Sequence, residues 1–184
     1  MSIAFEMSQN NANDESFANT LNIRILQHNC ARSTQIMHAC MKFAKNKTDI
    51  VILQESWMKD KNITISYSLF ICIKSNVQNT WVKVLIFIAK NVKKFTCTSR
   101  SDIVNNEDMQ VISIANNKIQ KEILLFNIYN KKSQNADDEQ LYMIERELAK
   151  VMLNSEQKES VIKLICMQCW LQIYCLTTVK FKDY

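Results

Sequence analysis

The sequence contains neither glycine nor proline. Average usage would place about 13 glycines and about 9 prolines in a chain of 184 residues. Every compact fold has turns that glycine serves best, so the absence brings no physical advantage. Asparagine, lysine and isoleucine are abundant instead, with 19, 19 and 22 copies. The first two bases of every codon for these residues are A or T, whereas those of glycine and proline codons are G or C. The bias indicates a gene that drifted towards A+T, so glycines with functional roles are missing along with the others.

Long apolar runs and a secretory signal are also absent. The longest runs, Val84–Ala89 and Ile123–Phe126, are far shorter than the roughly 20 residues that span a bilayer. The first twenty residues are polar, and the seven cysteines are scattered and odd in number. These features predict a reduced, intracellular chain that is neither secreted nor membrane-bound and has no disulfide scaffold.

Charge is distributed unevenly along the chain. The net charge is +5, but residues 1–23 carry −3, so the remainder carries +8. The 47% of apolar and 22% of charged residues are typical of a globular domain, and the length fits a single one. A basic body suits a polyanionic partner such as nucleic acid, and it is also a common charge for solubility.

The chain from residue 21 onwards has the pattern strand, helix, strand. Leu21–Gln27 alternates in hydropathy, and Asp49–Leu53 contains a continuous apolar run of the kind buried in a sheet on both faces. Between them, Ser33–Lys47 has apolar residues at helical spacing, with Ser33 and Thr34 as candidate caps. The sequence therefore predicts a βαβ unit with a parallel crossover.

Short strands separated by asparagine-rich joints follow this unit. A second helix is predicted over Asp137–Leu153, and the predicted strands are Ser68–Lys74, Val82–Ala89, Met109–Ala115, Ile123–Tyr129 and Val161–Cys166. Asparagine tolerates the left-handed conformation, so asparagine pairs can make the turns that glycine would normally make. We therefore predict an α/β fold with a flexible tail over residues 1–20, one domain over residues 21–166, and an irregular tail over residues 167–184.

Cysteine and histidine occur together in two places, which could indicate zinc binding or nucleophilic catalysis. The two pairs are His28-x-Cys30 and His38-x-Cys40. The second pair lies on the predicted helix, where the two side chains point about 200° apart and cannot both face one zinc ion. The C-M-Q-C run of residues 166–169 has no second pair to complete a zinc site. Cys30 beside His28 has neither a third partner nor an oxyanion motif. Small buried cysteines are the favoured interpretation.

Polar residues follow both strands of the predicted βαβ unit. The first strand leads into Asn29, and the second leads into Glu55 within the run Q-E-S-W. Because the carboxyl ends of parallel strands meet at one edge of the sheet, Asn29 and Glu55 would be neighbours there. A carboxylate with a carboxamide oxygen is a hard-oxygen pair suited to Mg²⁺. A glutamate that only caps the following loop is the alternative, and the pattern leaves both open.

Three runs resemble motifs of the endonuclease/exonuclease/phosphatase superfamily: I-R-I-L-Q-H-N-C-A-R-S-T-Q-I-M-H, D-I-V-I-L-Q-E-S-W and F-N-I-Y-N-K-K-S-Q. More narrowly, residues 21–165 are similar to the endonuclease domain of fungal LINE-type retrotransposons. The resemblance implies an α/β sandwich in which Asn29 and Glu55 hold the catalytic Mg²⁺. It also implies that Tyr129 contacts the scissile phosphate, with Asn130 beside it.

The sequence departs from that family in ways that bear on activity. Ser56 replaces the proline of the family's Q-E-P-W, a change that one C-to-T mutation produces. The family's G-D-x-N positions the nucleophile and phosphate, and its terminal S-D-H supplies the general-base pair; both motifs are absent. A frameshift near Cys166 is one explanation. Residues 167–184 would then be out of frame, and the α/β sandwich would be truncated after its N-terminal part.

The resemblance therefore predicts the remnant of a Mg²⁺-dependent DNA endonuclease of retrotransposon type, inactive because G-D-x-N and S-D-H are missing. DNA is the expected partner. One carboxylate and one amide would bind Mg²⁺ weakly, with Mn²⁺ as an alternative ion. Two other hypotheses stay open: a non-catalytic basic module that binds nucleic acid or another partner, and a relic without function.

Overall fold

A computed structural model of the chain describes residues 20–60, 63–73, 81–104, 107–116, 119–129, 161–168 and 175–182. These residues form one α helix and eleven strands, arranged in two main sheets and one small hairpin. Among them, no helix is both long and apolar enough to cross a membrane. The predicted tail over residues 1–20 is described only at Thr20, and the predicted helix Asp137–Leu153 lies outside the described residues.

The predicted βαβ unit is present. Strands β1 (Thr20–Asn29) and β2 (Ile50–Gln54) are parallel neighbours, and helix α1 (Thr34–Ala44) connects them. Ser33 caps the helix, because its Oγ accepts a hydrogen bond of 3.3 Å from the backbone N–H of Ile36. The buried stripe of α1 packs against the sheet, as the helical spacing predicts.

The first main sheet extends this unit on both sides. Beside β2 lies β6 (Val84–Ala89) and then β5 (Phe70–Ile73), each antiparallel to its neighbour. On the other side of β1 lies β11 (Cys175–Lys182), also antiparallel. All five residues of β2 are buried, since this strand lies in the middle of the sheet and is covered on both faces.

The second main sheet has four strands. In spatial order they are β10 (Val161–Gln168), β9 (Ile119–Tyr129), β8 (Met109–Asn116) and β7 (Thr96–Ser99). β9 and β10 are parallel, whereas the other neighbours are antiparallel. A separate hairpin of β3 (Met58–Asp60) and β4 (Ile63–Thr64) follows β2. The pattern of the sequence did not predict β3, β4 or β7, which are only two to four residues long.

The two main sheets pack face to face as a sandwich. One apolar cluster combines side chains of β1, β2 and β6 with side chains of β8 and β9, so it lies between the sheets. A second cluster joins the opposite face of the first sheet to helix α1. The fold is therefore the predicted α/β sandwich, with the first sheet covered on both faces.

The prediction of an irregular tail over residues 167–184 is wrong for the part of this segment that the structure describes. β10 continues to Gln168, and β11 pairs with β1 over eight residues, from Gln27 opposite Cys175 to Thr20 opposite Lys182. The local pattern predicts no strand here, because its apolar residues follow no single period over the whole segment. Pairing with a strand at the other end of the chain is a long-range contact that local spacing does not reveal.

A buried carboxylate ties the beginning of β2 to its surroundings. Asp49 Oδ2 accepts hydrogen bonds from the backbone N–H of Arg24 at 2.8 Å and from Lys94 Nζ at 2.7 Å, and Arg24 Nη2 lies 3.1 Å from Oδ1. Burial by itself would raise the pKa of Asp49, but the hydrogen bonds from Arg24 and Lys94 outweigh it and lower the pKa below its ordinary value.

Candidate active site

The candidate site lies where strands β2 and β6 separate. Their antiparallel ladder ends with Gln54 opposite Val84. Continuing the same register would place Glu55 opposite Lys83 and Trp57 opposite Trp81. The two segments, residues 55–57 and 81–83, instead diverge and form the walls of a cleft of about 420 Å³. Arg32 and Met58 complete its lining.

New backbone partners hold the two segments apart. The carbonyl of Glu55 accepts a hydrogen bond of 2.8 Å from the backbone N–H of Arg32, and the N–H of Lys83 donates one of 2.9 Å to the carbonyl of Glu107. Each segment therefore exchanges its strand partner for a loop, and the cleft opens between them. These two hydrogen bonds take the place of the ladder bonds that end at Gln54 and Val84.

The loop that reaches Glu55 is a tight turn with unusual dihedral angles. The backbone N–H of Ser33 donates to the carbonyl of Cys30 at 2.8 Å, and both central residues, Ala31 (φ 47°) and Arg32 (φ 55°), are left-handed. Two positive φ values define a type I′ turn, which glycine and asparagine favour. Glu55 is also left-handed, with φ of 45°. Of the four non-glycine residues with positive φ among the described residues, Arg32 and Glu55 therefore line the cleft, and Ala31 directly precedes Arg32.

Glu55 and Tyr129 are in direct contact across the two sheets. Tyr129 is the last residue of β9, and its hydroxyl donates a hydrogen bond to Glu55 Oε1. Burial raises the pKa of Tyr129, and the adjacent Glu55 carboxylate raises it further, so the phenol keeps its proton at neutral pH. This contact places a hydroxyl donor and a carboxylate side by side at the edge of the cleft.

A lysine and an aspartate lie on the other side of Tyr129. Lys83 Nζ is 2.7 Å from Asp108 Oδ1 and 5.8 Å from the centroid of the Tyr129 ring. The backbone N–H of Tyr129 donates a hydrogen bond of 2.8 Å to the carbonyl of Asp108. Lys83 therefore presents a positive charge to the face of the ring whose hydroxyl binds Glu55.

A buried amide pair joins the sheets directly behind this contact. Gln54 Nε2 donates to the Ile128 carbonyl at 2.7 Å and to Asn127 Oδ1 at 3.3 Å, while Asn127 Nδ2 donates to the Leu53 carbonyl at 3.2 Å. Both side chains are fully buried. Because Gln54 precedes Glu55 and Asn127 lies two residues before Tyr129, the pair fixes one sheet edge relative to the other.

Asn29 ends β1 at the same edge of the sheet as Glu55. It pairs with Gln54, the residue before Glu55, in the parallel ladder. Its side chain is buried, and its Oδ1 accepts a hydrogen bond of 2.8 Å from the backbone N–H of Ala31. Asn29 thus supports the left-handed turn. Asn130 lies outside the described residues, and the metal-binding and catalytic roles of Asn29, Glu55 and Tyr129 remain predictions.

The histidine and cysteine arrangements form no metal site in the described part of the chain. No group of three or more histidine, cysteine, aspartate or glutamate side chains there could hold an ion. His38 is exposed whereas Cys40 is buried, as expected for residues two apart on a helix. Burial raises the pKa of the Cys30 thiol to about 12, so it is protonated at neutral pH and is not a ready nucleophile.

Sequence reasoning missed Arg32, Trp81, Lys83 and Asn127. Trp81 and Lys83 face residues 55–57 only because β2 and β6 are antiparallel with this register, and the sequence does not encode that register locally. Arg32 reaches the cleft through a left-handed turn that contains neither glycine nor asparagine. The N-I-Y run did contain a signal for Asn127, since a buried amide in an apolar strand needs a partner.

Neither a family model nor a curated protein matches this sequence. Solved structures do match its fold. The endonuclease domain of TRAS1, a telomere-specific non-LTR retrotransposon, is 17% identical, with a TM-score of 0.51 over 78% of this chain and 57% of that one. TDP2 from Caenorhabditis elegans is 14% identical, with a TM-score of 0.53 over 80% of this chain and 47% of that one.

A third match is ANGEL2, a 2′,3′-cyclic phosphatase, which is 14% identical, with a TM-score of 0.55 over 81% of this chain and 54% of that one. The present chain thus spans about half the length of each of these proteins. All three have the sandwich of the endonuclease/exonuclease/phosphatase superfamily. The fold predicted from the motifs is therefore confirmed.

Proposed function

We propose that this chain carries part of a Mg²⁺-dependent phosphodiesterase site, of the type that acts on DNA in retrotransposon endonucleases. The observation that carries the proposal is the hydrogen bond from the Tyr129 hydroxyl to Glu55, at the edge of an open cleft. A carboxylate fixed beside a protonated phenol is suited to a phosphate ester, because Glu55 can hold a cation through its second oxygen and the phenol oxygen can still accept a hydrogen bond from a metal-bound water. The phenol would donate to a phosphate oxygen only after turning its single O–H away from Glu55.

The donor atoms are compatible with Mg²⁺, although they would hold it weakly. Glu55 offers carboxylate oxygens and lines the cleft, and Asn29, at the same sheet edge, offers the lone pair of Oδ1 that the Ala31 N–H does not use. Mg²⁺ keeps most of its waters and takes few protein ligands, so such a pair is sufficient for a weak site. When bound, the ion supplies positive charge that neutralises a phosphate.

The described residues that line the cleft supply positioning, and none of them is a histidine that could act as a general base. Arg32 and Lys83 place positive charge in the cleft, and the amide pair behind it keeps Glu55 and Tyr129 together. His28 is buried, and His38 is the last histidine of the sequence. We therefore propose that these 184 residues alone do not cleave DNA at a measurable rate, because catalytic groups that act together lose most of their effect when several are missing.

Two measurements on the purified chain test this proposal. Mg²⁺ titration followed by NMR should show weak binding that Glu55→Gln weakens further, with perturbed resonances confined to the cleft. The matched control is Glu107→Gln, which removes a nearby carboxylate that pairs only loosely with Lys83 at 3.7 Å. Binding that is insensitive to Glu55→Gln would mean that the ligands lie elsewhere.

The second measurement is nicking of supercoiled plasmid with Mg²⁺ or Mn²⁺. We expect no nicking by the parent above the level of Glu55→Gln. Nicking by the parent that disappears in Glu55→Gln would show that another residue supplies the base and that the chain is an active nuclease.

A non-catalytic module that binds nucleic acid is the second candidate function. The observation that favours it is the lining of the cleft, where Trp57 and Trp81 accompany Arg32 and Lys83. Aromatic rings and cations together bind nucleic acid without any catalytic group. Binding of an oligonucleotide in EDTA, without any effect of Glu55→Gln, would support this function over the metal-dependent one.

A further inference from the structure

Two tryptophans line the cleft. Trp57 follows the end of β2 and Trp81 precedes β6, so each belongs to one of the two segments that separate beyond Gln54 and Val84. Trp57 is partly buried, whereas Trp81 is more exposed, with 50% of its surface accessible to solvent. An indole exposed to this extent leaves a large apolar surface in water, which a ligand ring could cover.

We propose that the cleft binds an unpaired nucleobase, which stacks on Trp81, and that the chain therefore prefers single-stranded to duplex nucleic acid. This inference rests on the proposed function, because it names the form of nucleic acid that enters the site of Glu55 and Tyr129. A base in a duplex is already stacked on its neighbours and presents only its edges, so it gains little from an exposed indole.

The composition of the cleft matches a nucleotide in both of its chemical parts. Trp57, Met58, Trp81 and Val82 provide apolar and aromatic surface for a base. Arg32, an exposed cation on the adjacent turn, suits the phosphate that a base carries with it.

Ser56 adds a polar group to this lining. It lies in the cleft wall, its side chain is buried, and its Oγ has no hydrogen-bond partner within the described residues. A buried hydroxyl without a partner costs free energy, and because this Oγ is inaccessible to solvent, a ligand atom could bond to it only after the Ser56 side chain turned towards the cleft. A nucleotide has acceptors on its base, its sugar and its phosphate that could serve.

Fluorescence titration with short oligonucleotides in EDTA tests the inference. We expect a single-stranded oligothymidylate to quench tryptophan emission of the parent, and Trp81→Leu to weaken the binding about 10-fold, the loss typical of one stacked base. Trp81→Phe should retain part of the affinity, because it keeps an aromatic face. Binding of each variant is measured by anisotropy of a labelled oligonucleotide, so that loss of the fluorophore does not affect the reading.

Three controls make the result specific. Phe43→Leu changes another exposed aromatic residue beside a cation, Lys47, and should have no effect. An oligonucleotide with abasic sites should bind the parent and Trp81→Leu equally weakly. A duplex of the same length should bind the parent less tightly than the single strand does.

Several outcomes would overturn the inference. If Trp81→Leu binds single strands as the parent does, or if the duplex binds as tightly, no base stacks at Trp81. In that case a Glu55-dependent Mg²⁺ site would still support the proposed function. If the parent binds no nucleic acid of any form at low salt, the inference and the nucleic-acid part of the proposed function both fail.

Discussion

Replacing Ala31 with glycine should stabilise the protein, which is the reverse of the usual effect of this substitution. Ala31 occupies the first central position of the turn from Cys30 to Ser33, with φ of 47°. A non-glycine residue in the left-handed region costs about 1–2 kcal/mol, because its Cβ approaches the backbone. The side chain of Ala31 is exposed, so its removal sacrifices little packing.

The expected magnitude is a gain of about 1 kcal/mol. Relief of the left-handed conformation contributes about 1–2 kcal/mol, and the larger conformational entropy of glycine in the unfolded chain removes about 0.5–1 kcal/mol of it. The backbone N–H that donates to Asn29 Oδ1 at 2.8 Å is kept. For a chain of this size, such a gain raises Tm by about 2–4 °C.

The matched control is Ala39→Gly, the same chemical change at an exposed position within α1. There glycine should lower the free energy of unfolding by about 1 kcal/mol, because it weakens a helix interior. Urea denaturation of the parent and both variants measures the two differences. If both glycine variants lose stability to a similar extent, the turn is not left-handed at Ala31, and the shape of the cleft next to Glu55 must be revised.

Three further predictions concern residues that hold the site or the sheets. The pKa of Asp49 is lowered in the folded state. The stabilisation that its carboxylate provides is therefore complete above about pH 4, the ordinary pKa of aspartate in the unfolded chain, and it disappears as the pH falls through the lowered pKa of the folded state. Asp49→Asn should therefore be less stable than the parent at pH 7 in urea denaturation, and the gap should shrink towards pH 2. Asn127→Leu should cost about 2 kcal/mol, because the buried amide of Gln54 and the Leu53 carbonyl each lose a partner. NMR titration should also show that it weakens the binding of Mg²⁺, whereas an apolar substitution that is equally destabilising, such as Ile112→Ala between the sheets, should leave the ion's affinity unchanged. Ser33→Ala should cost about 1 kcal/mol in thermal denaturation through loss of the helix cap, and a smaller loss would mean that water replaces it.

The βαβ unit could be predicted from sequence because each of its elements has a local signal. Alternating apolar and polar residues identified β1, and a continuous apolar run identified β2. Apolar residues at helical spacing, preceded by a candidate capping residue, identified α1. Parallel pairing of adjacent strands then placed Asn29 and Glu55 at one edge without further information. This part of the candidate site followed from short-range physics.

The rest of the site depends on contacts between distant parts of the chain. Lys83 and Trp81 reach the cleft through the β2–β6 register, and Tyr129 reaches Glu55 through the packing of one sheet on the other. The left-handed residue Arg32 had no signal at all, because a chain without glycine cannot mark such a turn with one. Strand β11 was missed for the related reason that its partner lies at the opposite end of the sequence.

The position of β1 between β2 and β11 has a consequence for the order in which the protein assembles during synthesis. β1 leaves the ribosome long before β11, so one of its edges stays unpaired until residues 175–182 have also emerged. An exposed strand edge can pair with other chains, so the nascent chain is vulnerable to aggregation in the interval between the synthesis of β1 and that of β11. Because β1 leads into Asn29 and the turn beside Glu55, the docking of β11 also completes the pairing of the strand that carries this side of the cleft.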